Sequence, residues 1–416
     1  MKNNYFTINN LLLCLITLIP PFLITGPLIP EILMNLAGIV FLIIIYKNKD
    51  YKFFNNYYSF FFLAFFIYIS LRSLFTEEIF LSLKSSILYF RFYLLSLSIW
   101  YILENKESFV KILLYVFCIT QISLILDALL QYKLGFNIFG WGKIHPERVS
   151  GFFGDELILG SYLVRFLPLI IGLYILKNFD TFNLKKTFFL IFLIYLIYLG
   201  ISISGDRTAF YLSLIFLPFL FFLIRIEYLK KKIIPLLLVF ISVLLLTIFF
   251  NENLKKRIFT STINSVISFD NVNNIQLTMF SHNHEIHIKT AIKMYTDNKL
   301  FGVGIKQYRF KCKDKKYFIN RHSCVTHPHN TYIQFLAELG TVGFLFLLTF
   351  LIYIIVQIYI NILKNEKKPN SLFKLLILSS IFINLFPFAP SGNFFNNWLS
   401  MIYFFPLGFY FYSKKN

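Results

Sequence analysis

The chain has 416 residues, of which 57% are hydrophobic and 14% charged, and its mean hydropathy is +0.67. A soluble chain of this kind carries about 25% charged residues, so the composition excludes an ordinary soluble fold and predicts an all-α, polytopic membrane protein. The net charge of +20 does not indicate nucleic acid, because the lysines lie in short clusters between apolar blocks, as in the loops of membrane proteins.

Apolar runs long enough for a hydrocarbon core of about 30 Å recur from end to end. The alternation over about ten residues that marks a transmembrane β-barrel is absent. Twelve spans are expected, near 9–26, 29–46, 57–75, 82–103, 108–130, 156–176, 187–204, 208–226, 233–250, 330–360, 372–390 and 395–412. The first run leads into a second span rather than into a small-residue cleavage site, so no cleavable signal peptide is expected.

Orientation follows from the short loops. Lys47, Lys49 and Lys52 follow the second span, and Lys106 and Lys111 the fourth. Lys177, Lys185 and Lys186 follow the sixth, Arg225 and Lys230 to Lys232 the eighth, and Lys364, Lys367 and Lys368 the tenth. Lys414 and Lys415 end the chain, whereas odd-numbered exits such as Glu77-Glu78 and Pro390-Ser391-Gly392 are not basic. Both termini are therefore expected in the cytoplasm. The chain divides into spans one to nine over 1–250 with a shorter outer loop at 131–155, a long outer loop over 251–329, and three further spans over 330–416.

The long loop is itself basic, through Lys255, Lys256, Arg257, Lys306, Arg309, Lys311, Lys313, Lys315, Lys316 and Arg321. Long loops escape the positive-inside rule, so this charge suits either a surface that meets phosphates or a merely solvated loop. Over 284–298 the apolar positions Ile288, Ala291, Ile292 and Tyr295 fall at helical spacing and predict an amphipathic helix. Gly302 and Gly304 then permit a tight turn or a close backbone approach.

All seven histidines (His145, His282, His284, His287, His322, His327 and His329) fall in the two outer loops. Acid–base chemistry is thereby confined to one side of the membrane. His282, His284 and His287 cluster, but apart from Glu285 no cysteine or carboxylate completes a familiar zinc spacing, so neither metal nor cofactor is expected. Cys14 and Cys118 lie inside apolar spans. Cys312 and Cys324 share the outer loop, where a disulfide bracing the segment before His327 is expected; two free thiols or a metal pair are the alternative.

The stretch 326–343 carries the strongest signal. It begins as a polar loop, becomes a helix near Asn330, and runs into a membrane span. Asn330 or Thr331 can cap that helix, whose start disfavours an imidazolium and attracts phosphate. A neutral His329 there is suited to take a proton from a hydroxyl; the plain alternative is a loop histidine beside a cap. Asn330, Gln334 and Glu338 share one helical face, and such a stripe should face a cavity or the bundle interior. Arg207, in the short turn 202–208, can hold a diphosphate bidentately, and Arg148 is similarly placed in the other outer loop. The plain alternative for Arg207 is pairing with Asp206 or anchoring to lipid headgroups. Arg165 and Arg91 fall inside spans, where a charge serves function or a buried partner.

His329-Asn330, then nine residues to Gly340 and two more to Gly343, resembles the signature of the O-antigen ligase and O-antigen polymerase superfamily of bacterial membrane glycosyltransferases. The Gly302-Val-Gly304 turn, the Ser204-Gly-Asp-Arg207 turn and the twelve-span layout are similar to that family as well. The resemblance implies a glycan donor carried on undecaprenyl diphosphate at the periplasmic face of the inner membrane. It implies transfer to lipid A–core (ligase) or to another lipid-linked glycan (polymerase), without a metal. It makes His329 the base and Arg207 a diphosphate-binding cation; Asn330, Gln334, Glu338, Gly302, Gly304, Gly340 and Gly343 are expected to support them. Where many members carry an arginine at the start of the amphipathic helix, this chain has His284. That role falls to His284, Arg148, Arg257 or Arg309. A polysaccharide or lipid transporter is the alternative of another class, but the two halves show no repeat of the kind transporters carry.

Overall fold

The computed structural model describes residues 2–231, 233–249, 251–269, 275–277 and 281–415. Lys232, one of the lysines used above to orient the chain, lies outside them. Apolar sequence becomes helix throughout: α1 (Lys2–Phe22), α2 (Leu28–Asn48), α3 (Tyr57–Ser73), α4 (Ile79–Ile87), α5 (Phe90–Asn105), α6 (Ser108–Leu134), α7 (Leu159–Asn178), α8 (Leu184–Ile203), α9 (Arg207–Phe221) and α10 (Ile233–Phe249). The outer segment that follows holds α11 (Glu252–Lys255), α12 (Ser261–Val266), a two-stranded hairpin of β1 (Ile267–Phe269) and β2 (Ile275–Leu277), α13 (His282–Asp297) and α14 (Tyr308–Lys311). The chain closes with α15 (Thr331–Lys364), α16 (Pro369–Asn384) and α17 (Asn397–Lys415).

Among the described residues, eight helical stretches are long and apolar enough to cross a membrane, while Tyr57–Ser73 and Pro369–Asn384 are apolar but shorter. Leucine, isoleucine and phenylalanine side chains such as Leu28, Ile39, Ile119 and Phe188 stand exposed on the bundle surface, where only lipid would cover so much apolar area. The protein is a multi-pass membrane protein. The core lies between α5 and α17 and between α7 and α16, the most closely associated helix pairs.

The intramembrane arginines have internal partners. Arg91 pairs with Glu31 at 2.5 Å, and Glu31 also accepts from Asn397 Nδ2 at 2.7 Å. Arg165 donates to Asn384 Oδ1 and Ser161 Oγ at 3.0 and 3.1 Å.

The span expected at 82–103 falls within the continuous apolar stretch Ile79–Asn105, in which α4 and α5 meet and α4 binds the segment before α15: Ser82 Oγ donates to Ile305 O and accepts from Gln307 Nε2. One expectation is corrected. In α13 the buried positions are Ile286, His287, Thr290, Ala291 and Met294, and Ile292 is 41% exposed. The packing partners Tyr308, Tyr317 and Ala337 select the face that carries polar His287 and Thr290, which an apolar-only pattern passes over.

Candidate active site

The site is built around the start of α15. Asn330 caps it, its Oδ1 accepting from the backbone N–H groups of Tyr332 and Ile333 at 3.0 and 3.1 Å while its Nδ2 donates to Pro387 O. The linker between α16 and α17 clamps the same turn: Ser391 N donates to His329 O at 2.9 Å, and Ser391 Oγ lies 2.8 Å from Thr331 Oγ1. Gln334 Oε1 accepts from Phe394 N, and Gln334 Nε2 donates to Glu338 Oε2. The polar stripe Asn330, Gln334 and Glu338 is thus buried and occupied in holding segments together. His329 itself has φ +56°, a left-handed conformation uncommon for histidine, fixed by its bonded carbonyl and by the cap that follows.

Nearly three turns deeper, α15 breaks at Gly340 (φ 64°, ψ −165°). A Cβ there would lie 2.5 Å from Phe301 N, and a Cβ on Gly302 (φ +66°) would lie 2.5 Å from Leu339 N. Two backbones touch where each has a glycine. The groups freed by the break are taken up across this contact: Val303 N to Ala337 O, Gly304 N to Glu338 O, Thr341 N to Lys299 O and Val342 N to Leu300 O. Tyr68 donates to Leu339 O, and Arg72 to the carbonyls of Phe301 and Gly302. The fold thereby ties the outer segment to α3, α4 and α15 beside the histidines.

Four imidazoles meet at the mouth of α15. The His329 ring lies 4.2 Å from His327, 5.0 Å from His284 and 5.2 Å from His287. Burial, then the neighbouring imidazoles, push His329 down to about 3. Burial pushes His327 down to about 4, the Ser391 carbonyl opposing and Arg309 adding to the fall. His284 and His287 are lowered, again chiefly by burial. The cluster is therefore neutral at physiological pH. His282 has its backbone at the first position of α13, and its side chain lies outside the described residues. Among the described residues no group of histidine, cysteine or carboxylate side chains is placed to hold a metal ion.

Cations surround this cluster. Arg207 donates to Ser261 O at 2.9 Å and Ser265 Oγ at 3.3 Å, and its charge contributes to the lowering at His284. Arg257 Nε donates to Gly205 O, Arg148 donates to Leu157 O, and Arg148 senses both Arg257 and Arg207. Gly205 (φ +65°) allows the close approach, since a Cβ there would meet Arg148 Cγ at 3.1 Å. Of the residues the sequence pointed to, Arg207, Arg148, Arg257, His284 and His329 thus converge.

Arg309 approaches the cluster from the side of His327. With Lys306, His327, Ser391, Asn393 and Trp398 it lines a cavity of about 1450 Å³. Lys306 (φ +59°) is held below the ordinary lysine range by burial and by Arg309. The buried Nε atoms of Arg148 and Arg309 have no hydrogen-bond partner among the described residues. Neutral imidazoles beside under-satisfied guanidiniums and a large cavity suit a ligand bearing both negative charge and hydroxyl groups.

Cys312 and Cys324 form a disulfide with their Cα atoms 5.2 Å apart. His327, Lys306 and the scaffold residues Tyr68, Arg72, Ser82 and Gln307 were not singled out from sequence. His327 alone had a local signal, in its spacing of two from His329.

No curated protein matches the chain. The family model described as O-antigen ligase matches residues 189–348, a range that contains Arg207, Arg257, His284, the Gly302 turn, all four clustered histidines and the break at Gly340. Over these residues the chain is similar to the O-antigen ligase family.

Proposed function

We propose that the protein transfers a glycan from undecaprenyl diphosphate to an acceptor sugar, with His329 as the base. The observation that carries this reading is the neutral His329, set at a helix start among cations and inside the matched domain. The polyprenyl tail lies between helices while the diphosphate rests against Arg207, Arg148 and Arg257. His329 takes the proton of the acceptor hydroxyl. The hydroxyl oxygen bonds to the anomeric carbon, and the bond from that carbon to the diphosphate oxygen breaks, releasing undecaprenyl diphosphate. Charge stabilisation of this leaving group is the largest contribution. Metal takes no part.

Lipid A–core is the acceptor favoured here, which makes the protein a ligase of lipopolysaccharide assembly; a second lipid-linked glycan would make it a polymerase. The reading places twelve crossings in the inner membrane, both termini in the cytoplasm and the histidines in the periplasm. The test is a strain carrying His329→Ala at normal protein level, its surface polysaccharide separated on a gel. Loss of capped lipopolysaccharide with accumulation of lipid-linked polymer supports the ligase, and single repeats on the core support the polymerase. Unchanged surface glycan sinks His329 as the base.

A further inference from the structure

A second cleft, walled off from the histidines, runs through the bundle between α3, α5, α15 and α17. Its volume is about 320 Å³ and its walls are largely aromatic, including Tyr58, Phe61, Phe65, Phe346, Tyr353 and Tyr410. Toward the histidine side it is closed by rings: Phe335 packs on Phe394 at 4.8 Å and stacks on Phe65 at 6.0 Å. Tyr353 lies about 27 Å further along α15 from Phe335, at most, at the helical rise, and so marks the other end of the bundle. There the cleft becomes polar. Tyr58 and Tyr353 hydroxyls lie 2.9 Å apart, Tyr353 also meets Tyr410, and Lys414 Nζ donates to Tyr58 and Tyr353.

Lys414 has its ammonium over the Tyr58 ring at 4.9 Å. Lys374, half-buried on α16, senses Tyr353, Lys414 and Lys364, with Glu366 as the acidic group within range. Among the described residues none of Lys364, Lys374 and Lys414 forms an ion pair with a carboxylate. The side of the cleft between α3 and α15 faces lipid, with Phe61 and Thr349 exposed. An apolar groove open to the bilayer, closed at one end and met at the other by Lys414, with Lys374 in electrostatic range of both Lys414 and Lys364, fits one class of occupant.

We propose that this cleft binds one chain of an anionic phospholipid, whose phosphate sits at Lys414, Lys374 and Lys364, opposite the histidine site. The chain fills the aromatic walls and stops at Phe335, and the tyrosine hydroxyls meet the glycerol region. Charge selects the headgroup, and the closed outer end fixes which way the lipid enters. The site is independent of the transfer reaction proposed above.

The test is native mass spectrometry of the full chain released from detergent, with phosphatidylglycerol or phosphatidylcholine of identical chains added. Retention of a single phosphatidylglycerol at least tenfold above phosphatidylcholine is expected. Lys414→Gln combined with Lys374→Gln should bring the two lipids level, Lys414→Arg should keep the preference, and Thr349→Trp, which fills the groove from its lipid-facing side, should reduce retention of both. Equal retention of the two lipids by the unaltered protein overturns the proposal, whatever the fate of the variants. So does an unchanged preference in the double lysine variant. Displacement of the lipid by inorganic phosphate at millimolar concentration overturns the role given to the acyl chain.

Discussion

Gly340→Ala is the substitution whose cost the structure specifies most fully. The backbone at Gly340 has φ 64° and ψ −165°, a region essentially restricted to glycine, where another residue costs about 1–3 kcal/mol. A Cβ would also lie 2.5 Å from Phe301 N, and backbone cannot step aside as a flexible side chain can. The two segments must separate, which weakens the four backbone hydrogen bonds between 299–304 and 337–342, each contributing about 1 kcal/mol. The expected loss is about 3–6 kcal/mol. Gly140→Ala is the control: its φ is +80° but nothing lies within 4 Å of its Cβ position, so only the conformational cost of about 1–2 kcal/mol applies. Thermal unfolding in one detergent, with trypsin cleavage of the outer segment followed in parallel, compares them. If Gly340→Ala unfolds no earlier than Gly140→Ala and its outer segment is cut no faster, the backbone contact does not tie that segment down.

Acid should destabilise the histidine cluster. His329 and His327 titrate near 3 and 4 when folded and near 6.5 when unfolded, so the unfolded chain takes up their protons first; stability is complete above pH 6.5 and drains as pH falls toward 3. By pH 5 the loss is about 2 kcal/mol for each ring alone, and unfolding curves at pH 7.5 and 5.0 should show a smaller difference in His327→Gln than in the unaltered protein; an equal difference refutes the assignment. Cys312→Ser opens a loop of 12 residues' separation and should cost about 3 kcal/mol in the chain-entropy account. Dithiothreitol should lower the melting temperature of the unaltered protein and leave that of the variant in place. Arg207→Lys keeps the charge but loses the fork that reaches Ser261 and Ser265; kcat/KM for the lipid-linked donor should fall about 5- to 30-fold, the equivalent of about 1–2 kcal/mol, and an unchanged value would remove Arg207 from the donor site.

What the sequence disclosed was local. The Asn330 cap, the start of α15 and the helix at α13 are written in residues adjacent along the chain, so propensity and spacing reach them. Gly340 and Gly302 stand out as glycines, but nothing in either segment says that they press on each other. The supports from Tyr68, Arg72 and Ser82 come from residues more than two hundred positions away from those they hold. Their hydroxyls and guanidinium are ordinary at a helix end until the outer segment is folded onto them. The same holds for Lys306 and Arg309, which read as two more basic residues in a basic loop and become distinctive only as walls of a cavity. Ile292 failed for a related reason: an amphipathic pattern finds the apolar arc, whereas the partners of α13 select an arc that includes His287 and Thr290.

On the proposed reading, the cluster poses its own question about catalysis. A base works best when it titrates near the working pH, and an imidazole near 3 is too weak. The cause is burial together with three neighbouring rings that oppose a positive charge. Both effects belong to a site without a diphosphate. Bringing that anion against Arg207, Arg148 and Arg257 places negative charge beside His284 and His329, which favours the imidazolium and raises the affinity of His329 for a proton. The cations therefore do more than hold the leaving group. They bring to the histidine the charge that makes it basic, so proton abstraction becomes effective only once the lipid-linked donor is seated. The four-ring arrangement then keeps His329 neutral in the empty site and leaves its activation to the substrate.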